Sequence, residues 1–299
     1  MALSALPLNP VTSLDLEALH ARVEAALERA FDAVAVGPGC PPRLADAQRY
    51  ALFPGGARFR PQLCLVTAIA CGDRRPAIAD AAAASIELLH CASLVHDDLP
   101  CFDDADTRRG RPSVHKAFGE PLALLVGDAF IVHAFDVLGR AVTGAPGDGG
   151  ELLATLATAA GTTRGILAGQ AWESEPAAPL DEYQRAKTAS LFEGATAMGA
   201  IAAGARPGSW RRFGEALGRA YQAADDLNDA VGDAQRIGKP TGRDAALGRP
   251  SVVRAIGVDA ARARLASLLA DARAAIPPVP GERVVHQWLD ALASRLETR

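Results

Sequence analysis

The stretch IELLHCASLVHDDLPCFDDADTRRGRPSVH, residues 86–115, contains the strongest signals for the fold of this chain and for its chemistry. Its first half has apolar residues at spacings of three and four, which predicts a helix. We expect this helix to end at Asp97 and Asp98, just before Pro100. Peptide dipoles make the carboxyl end of a helix partially negative, so carboxylates there are disfavoured by roughly 0.3–1 kcal/mol each unless a cation lies beside them. The pattern therefore predicts a cation-binding site at this helix end.

A second acidic cluster lies in the stretch YQAADDLNDAVGD, residues 221–233. Asp225 and Asp229 are four residues apart and project from the same side of one helix, with Asp226 beside them. No Lys or Arg is interleaved to neutralise them. Mg²⁺ commonly binds a few carboxylates together with substrate phosphates. Each cluster taken singly is also explained as a solvated surface, but the two together favour a divalent-cation site.

Three arginines follow the first acidic cluster directly, at Arg108, Arg109 and Arg111. The planar guanidinium group donates two parallel hydrogen bonds to phosphate oxygens, which makes arginine well suited to binding phosphate. Acidic groups for a metal beside basic groups for phosphate predict a site for a metal-bridged polyphosphate.

The rest of the chain is rich in alanine and leucine, and its apolar residues also recur at helical spacing. Breakers rich in Gly and Pro divide it into segments of helix length. We predict helices near residues 14–35, 43–52, 59–71, 76–98, 120–140, 151–172, 181–203, 208–233, 244–254, 258–274 and 282–298. No segment alternates as a strand, and no breaker is long enough to be an interdomain linker. The pattern predicts a single all-α domain over residues 1–299, built as one large helical bundle.

Composition and charge exclude several classes of protein. With 31 basic and 35 acidic residues the net charge is -4, so no broad basic surface is available for nucleic acid. The five cysteines are odd in number and form no CxxC pair, which favours free thiols in the cytoplasm and no zinc site. The amino terminus has no signal-peptide pattern, and charged residues interrupt the most apolar stretch, 121–138. We therefore expect no transmembrane segment.

The two acidic motifs, DDLPCFD with DTRRGRP and DDLND, resemble the first and second aspartate-rich motifs of the trans-isoprenyl diphosphate synthase family. Six further segments follow the order found in that family: FPGGARFRP, HKAFGE, GDA, GQAWE, KTASLF and GKPTGRD. The resemblance covers roughly residues 45–255 and is strongest to bacterial and plastid-type geranylgeranyl diphosphate synthases. It implies a helical bundle around a central cavity. It also implies a magnesium-dependent prenyltransferase that joins isopentenyl diphosphate to an allylic diphosphate and releases diphosphate.

The resemblance also implies roles for individual side chains, carried over motif by motif. The predicted magnesium ligands are Asp97, Asp98, Asp103, Asp225, Asp226 and Asp229. The predicted isopentenyl diphosphate site is formed by Arg58, Arg60, His90 and Arg109. The predicted allylic side, where the carbocation is also steadied, is formed by Arg108, Lys187, Thr188, Gln222 and Lys239. Of these groups the central catalytic set is Asp97, Asp98, Asp103, Arg108, Lys187 and Asp225. Thr188 and Gln222 are equally explained as hydrogen-bonding groups between packed helices.

One departure from the family pattern bears on function. Ala57 stands where the family usually has a lysine, so one expected cation is missing from the isopentenyl diphosphate site. This leaves a non-catalytic regulatory homologue as an alternative, against which the six retained aspartates argue. Arg249 for lysine and Glu173 for aspartate preserve the sign of the charge.

Product length should depend on the helix residues that precede Asp97. Ala92 and Ser93 lie one to one and a half turns before it, and both are small, so the space below the metal site is open to a growing hydrocarbon. Because family members that stop at fifteen carbons usually have an aromatic residue there, we predict a twenty-carbon product, with farnesyl diphosphate as the alternative. A class I terpene cyclase is disfavoured by DDLND. The resemblance further implies a homodimer.

Overall fold

Helices form almost all of the regular structure in the computed structural model, which describes residues 13–35, 37–53, 55–143, 147–177, 179–231 and 252–297. The α-helices are α1 (Leu16–Val34), α2 (Pro42–Leu52), α3 (Phe59–Ala70), α4 (Pro76–Asp97), α5 (Val114–Phe118), α6 (Glu120–Val142), α7 (Gly149–Ala160), α8 (Ile166–Ala171), α9 (Leu180–Gln184), α10 (Ser190–Ala202), α11 (Gly208–Val231), α12 (Val252–Ile256), α13 (Val258–Ala274) and α14 (Glu282–Glu297). A 3₁₀ turn spans Trp172–Ser174, and a π-helical turn spans Arg185–Ala189. Strands β1 (Thr107–Arg108) and β2 (Arg111–Pro112) form an antiparallel hairpin. The predicted all-α class is confirmed.

The helices α3, α4 and α10 form the centre of the bundle. α4 packs against α3, α6 and α10, and α10 packs in addition against α7 and α11. Every residue of α10 except Glu193 is buried. Glycine makes the closest crossing possible, because a Cβ on Gly199 would lie 2.2 Å from the backbone oxygen of Cys64 on α3. Helices that are apolar on all sides thus occupy the interior.

Two sequence predictions of secondary structure are wrong in part. The predicted helix 151–172 is divided, because α7 ends at Ala160 and the glycines Gly161 and Gly165, both with extended backbone, interrupt the helix before α8 begins. The expectation of no strand missed the hairpin, whose strands are only two residues long and therefore show no alternating pattern. Most of the predicted helix 244–254 lies outside the described residues.

Two helices, α4 and α6, are long and apolar enough to cross a membrane by length and composition alone. The most apolar window of α4 is 78% buried inside the bundle, whereas that of α6 is only 39% buried. The buried face of α6 packs on α4, and its outer face exposes Leu124, Leu125 and Val132. The charged residues between 121 and 138 therefore do not lower the mean hydropathy of α6 enough to exclude a membrane-spanning helix on composition alone.

Candidate active site

The first acidic cluster is formed by the end of α4 and the loop that follows. The chain folds back so that the Asp103 amide donates to the Asp97 backbone oxygen at 2.8 Å, and the Ala105 amide donates to that of Asp98 at 3.2 Å. The side chains of Asp97 and Asp98 are both buried. Burial raises the pKa of both carboxyl groups, because the charged form loses hydration. Carboxylates buried at the negative end of a helix would be stabilised by a bound cation.

Gln170 on α8 orients Asp97. Its Nε2 donates to Asp97 Oδ1 at 3.0 Å and to the backbone oxygen of Ser93 at 3.2 Å. The neighbouring Gly169 allows this approach, since a Cβ there would lie 2.2 Å from the Cα of Lys187. Sequence reasoning recognised the GQAWE segment but assigned no role to its glutamine. In the sequence, the only available signal was a glutamine next to a glycine in an apolar stretch.

Lys187 lies in the π-helical turn at Arg185–Ala189, a distortion that is often found at functional sites. Its ammonium group pairs with Glu173, whose Oε1 also accepts a 2.6 Å hydrogen bond from Tyr183 Oη. The positive charge of Lys187 partly opposes the rise that burial causes in the pKa of Asp97. The structure therefore brings the predicted lysine to the first acidic cluster.

Arg108 forms an ion pair with Asp98. Its Nε lies 3.0 and 3.1 Å from the two carboxylate oxygens, and its Nη2 also contacts Oδ1. This pair partly opposes the rise that burial causes in the pKa of Asp98. A predicted metal ligand and a predicted allylic diphosphate ligand are thus partners here. A metal and a diphosphate would have to replace this contact.

The second acidic cluster, on α11, is tied to the π-helical turn by amide side chains. Asp226 is buried and accepts hydrogen bonds from Gln222 Nε2 at 2.7 Å and Gln184 Nε2 at 3.2 Å. The Thr188 hydroxyl in turn contacts Gln222 Oε1. Thr188 and Gln222 thus make the kind of contact between packed helices that was considered above. The role of Gln184 was missed, because its partner lies on another helix. Asp229 is also buried.

A cationic pocket lies beside these clusters. Arg60 Nη1 is 3.3 Å from His90 Nε2, and the Arg60 guanidinium lies over the rings of Phe192 and Tyr221 at 4.8 and 5.5 Å. Within the described part of the chain, the buried Arg60 Nε and His90 Nδ1 have no hydrogen-bond partner. Burial lowers the pKa of His90 well below its usual value, and nearby Arg60 and Arg109 add to this effect, so the imidazole is neutral. Unused donors beside arginines are suited to an anion.

Arg58 does not belong to this pocket, which corrects the prediction that it contacts substrate. It has a left-handed backbone with φ of 52° and a fully buried side chain. Its guanidinium donates to Glu87 at 2.7 Å, to Glu24 at 2.8 Å and to the backbone oxygen of Leu52 at 2.8 Å. These partners use its donors within the protein. A Cβ on Gly55 would lie 2.2 Å from this guanidinium, so the loop is built around it.

Arg109 occupies the space next to Ala57. A Cβ on Gly56 would lie 2.9 Å from Arg109 Nε, so the guanidinium packs directly on the loop backbone. It is also close enough to Arg60 to contribute to lowering the pKa of that group, after the larger effect of burial. A cation therefore lies near the position where the family usually has lysine.

The remaining predicted residues are placed as follows. Ala92 and Ser93 are buried on α4, and the Ser93 hydroxyl donates to the His90 backbone oxygen at 2.8 Å. Lys239 lies outside the described residues. Among the residues that the structure describes, no three His, Cys, Asp or Glu side chains converge as a metal site. The hard carboxylate oxygens fit Mg²⁺, which would take further ligands from water and phosphate.

Comparison with known proteins places this site in a family. The polyprenyl synthetase family model matches residues 41–276. The geranylgeranyl diphosphate synthase of Cereibacter sphaeroides is 50% identical over 279 residues, which cover 93% of this chain and 96% of that protein. The one from Rhodobacter capsulatus is 48% identical over 278 residues, with the same coverage.

Similar solved structures support the same family assignment. A Helicobacter pylori geranyltransferase, complexed with magnesium and isoprenyl diphosphate, matches with a TM-score of 0.81 and 28% identity, covering 97% of this chain and 99% of that one. An FPP/GFPP synthase from Zymomonas mobilis matches with a TM-score of 0.78 and 30% identity, covering 93% and 98%. The chain therefore belongs to the polyprenyl synthetase family of prenyltransferases.

Proposed function

We propose that this enzyme condenses isopentenyl diphosphate with an allylic diphosphate, head to tail, and releases geranylgeranyl diphosphate as its main product. The observation that carries the proposal is the pairing of a buried acidic cluster at the end of α4 with a buried cationic pocket whose donors at Arg60 and His90 are unused. One half suits a metal-bound diphosphate and the other suits a second diphosphate.

The allylic diphosphate would bind through magnesium at Asp97, Asp98 and Asp103, with Asp225, Asp226 and Asp229 completing the acidic surface. Magnesium, when bound, would stabilise the negative charge that develops on the departing diphosphate. Arg108 would leave Asp98 and donate to the same diphosphate. Gln170 would hold one oxygen of Asp97 in place, which leaves the other directed at the ion.

Isopentenyl diphosphate would bind to Arg60, His90 and Arg109. A neutral His90 donates a hydrogen bond without adding a buried charge, while the two arginines supply the positive charge. Arg109, which packs on the backbone of Gly56, lies beside Ala57 and is one of the two cations that remain at this site.

The carbocation formed from the allylic substrate needs protection from water. The bundle interior around α4 and α10 is apolar, so water is excluded from the growing chain. Lys187, Thr188 and Gln222 would line the allylic side, as Lys239 would by resemblance. We assign no side chain as the final base, and the released diphosphate is the proton acceptor in this scheme.

A twenty-carbon product is supported by the small side chains of Ala92 and Ser93 and by the similarity to geranylgeranyl diphosphate synthases. Both residues lie on the helix that ends at Asp97, so their side chains control the depth of the space below the reacting atoms.

We further propose a homodimer in which a second copy covers the outer face of α6. Leu124, Leu125 and Val132 are 49%, 50% and 64% exposed on this helix, and exposed apolar side chains grouped on one element commonly mark a protein interface. The five free cysteines support a cytoplasmic location, because disulfides are rare in reducing compartments. We also propose that the whole chain forms one domain.

The test is an elongation assay with Mg²⁺, labelled isopentenyl diphosphate and, separately, the allylic diphosphates of five, ten and fifteen carbons. We expect a twenty-carbon product that disappears when a chelator removes the metal. A fifteen-carbon product would keep the reaction class and refute the product length. No elongation with any primer would refute the proposed activity, and Ala57→Lys would then test for loss through the missing cation.

A further inference from the structure

The β1–β2 hairpin that carries Arg108 and Arg109 is too small to hold its own position. Each strand is two residues long, and both residues of the turn, Arg109 and Gly110, have positive φ, of 54° and 74°. This is the type I′ geometry, which a non-glycine residue adopts at a cost. An isolated two-stranded hairpin is marginally stable at best. A small cleft lined by Cys91, Leu94 and Val95 of α4 lies beside the hairpin, and α4 holds the hairpin from this side through the ion pair of Asp98 with Arg108.

Two side chains, Tyr50 and Arg111, connect the hairpin to α2 and to Phe53, the residue that follows α2. Tyr50 Oη, on α2, donates to the backbone oxygen of Pro112 at 2.8 Å. Arg111 donates from Nη1 to the backbone oxygen of Phe53 at 3.2 Å, and its guanidinium carbon lies 3.9 Å from the centre of the Tyr50 ring. The Tyr50 ring also packs edge-on against Phe118 on α5. Hydrogen bonds in both directions and a stacked pair thus link the hairpin to the segment before Gly55.

We propose that Tyr50 and Arg111 are positioning residues that hold the Arg109 guanidinium against Gly56, next to Arg60 and His90. The inference rests on the proposed function of Arg109 as a ligand of isopentenyl diphosphate. In the free protein Arg108 has its own anchor in the ion pair with Asp98, and in the proposed complex it is held by the allylic diphosphate instead, so loss of the Tyr50–Arg111 contact should displace Arg109 more than Arg108. Its effect should therefore fall on isopentenyl diphosphate and spare the allylic substrate.

The test compares steady-state kinetics of Arg111→Ala and Tyr50→Phe. Loss of the carbonyl bond and the stacking contact should raise KM for isopentenyl diphosphate about tenfold in Arg111→Ala, and loss of one hydrogen bond should raise it about threefold in Tyr50→Phe. KM for farnesyl diphosphate and kcat should change by less than about twofold. Calorimetric titration with isopentenyl diphosphate alone should show the same increases in Kd.

Arg75→Ala is the matched control, because Arg75 also donates to backbone oxygens, those of Ala202 and Ile201, but on a different helix end. It should lower thermal stability without changing KM for isopentenyl diphosphate.

A double variant separates positioning from general damage. In an Arg109→Ala background, adding Arg111→Ala should have little further effect on KM for isopentenyl diphosphate, because the residue that it positions is gone. An equal effect in both backgrounds, or equal increases in KM for both substrates, would overturn the proposal. If Arg109→Ala alone leaves KM unchanged, the assigned role of Arg109 is wrong and the inference falls with it. If Arg111→Ala does not fold, Tyr50→Phe retains the ring and decides the question.

Discussion

Replacing Gln170 by methionine removes the hydrogen bond that orients Asp97, together with the bond from the same amide to the Ser93 backbone oxygen. Methionine is unbranched and fills nearly the same space, but it has no donor. In the unmodified protein Asp97 Oδ1 lies 3.0 Å from the Gln170 amide nitrogen. The change leaves this oxygen without that bond in a buried site. A hydrogen bond to a charged group contributes about 1.5–3 kcal/mol, so we expect the free energy of unfolding to fall by about that amount at neutral pH. The difference should shrink in acid as Asp97 becomes protonated.

The same change should weaken the metal site. Groups that orient a metal ligand typically contribute a factor of about 10–100 to metal affinity or activity. We therefore expect the Mg²⁺ concentration for half-maximal elongation to rise by about that factor in Gln170→Met, measured at saturating concentrations of both substrates.

Gln48→Met is the matched control. Gln48 is as deeply buried, and its amide oxygen lies 2.8 Å from His133 Nε2 on α6. It should lose about 0.5–1.5 kcal/mol of stability with no change in Mg²⁺ dependence. If Gln170→Met loses stability but responds to Mg²⁺ like the unmodified protein, Gln170 serves packing alone and the orienting role is refuted.

Four further predictions concern other parts of the molecule. Ala92→Tyr should shift the main product toward fifteen carbons, since a phenol ring fills the space below the metal site; unchanged product length in the elongation assay would contradict this. Arg58→Met should lower the free energy of unfolding, measured in urea, by about 3–5 kcal/mol, because it leaves a buried carboxylate unpaired; a loss of substrate affinity without a loss of stability would instead restore the predicted substrate contact. The metal-free protein should lose stability as pH rises above about 4, because Asp97 and Asp98 have folded pKa values above their unfolded ones and must become charged while buried. Mg²⁺ with inorganic diphosphate should reduce this loss, measured as the change of melting temperature with pH in thermal unfolding scans. The same dependence on pH with and without them would count against a metal at these groups. Leu125→Asp should convert a dimer to a monomer by light scattering, and an unaltered mass would move the interface away from α6.

Much of the site could be predicted because its residues lie in short, chemically distinctive segments of the chain. The acidic groups at Asp97 and Asp98 stood out as carboxylates at the carboxyl end of a helix, where the peptide dipoles disfavour them. Arg109 was predicted with them because it follows the acidic motif directly. The hairpin that directs Arg109 was missed, since two-residue strands carry no periodic signal.

The sequence by itself determined the helical class and the family, because apolar spacing and ordered motifs are local properties of the chain. Only the tertiary structure decided how the site is supported. Gln170 meets Asp97 across 73 positions of the chain, Gln184 meets Asp226 across 42, and Arg58 meets Glu24 across 34. Whether an amide or a guanidinium binds substrate or a neighbouring helix depends on which helices pack side by side. That arrangement follows from burial of the whole core, so no short segment reveals it.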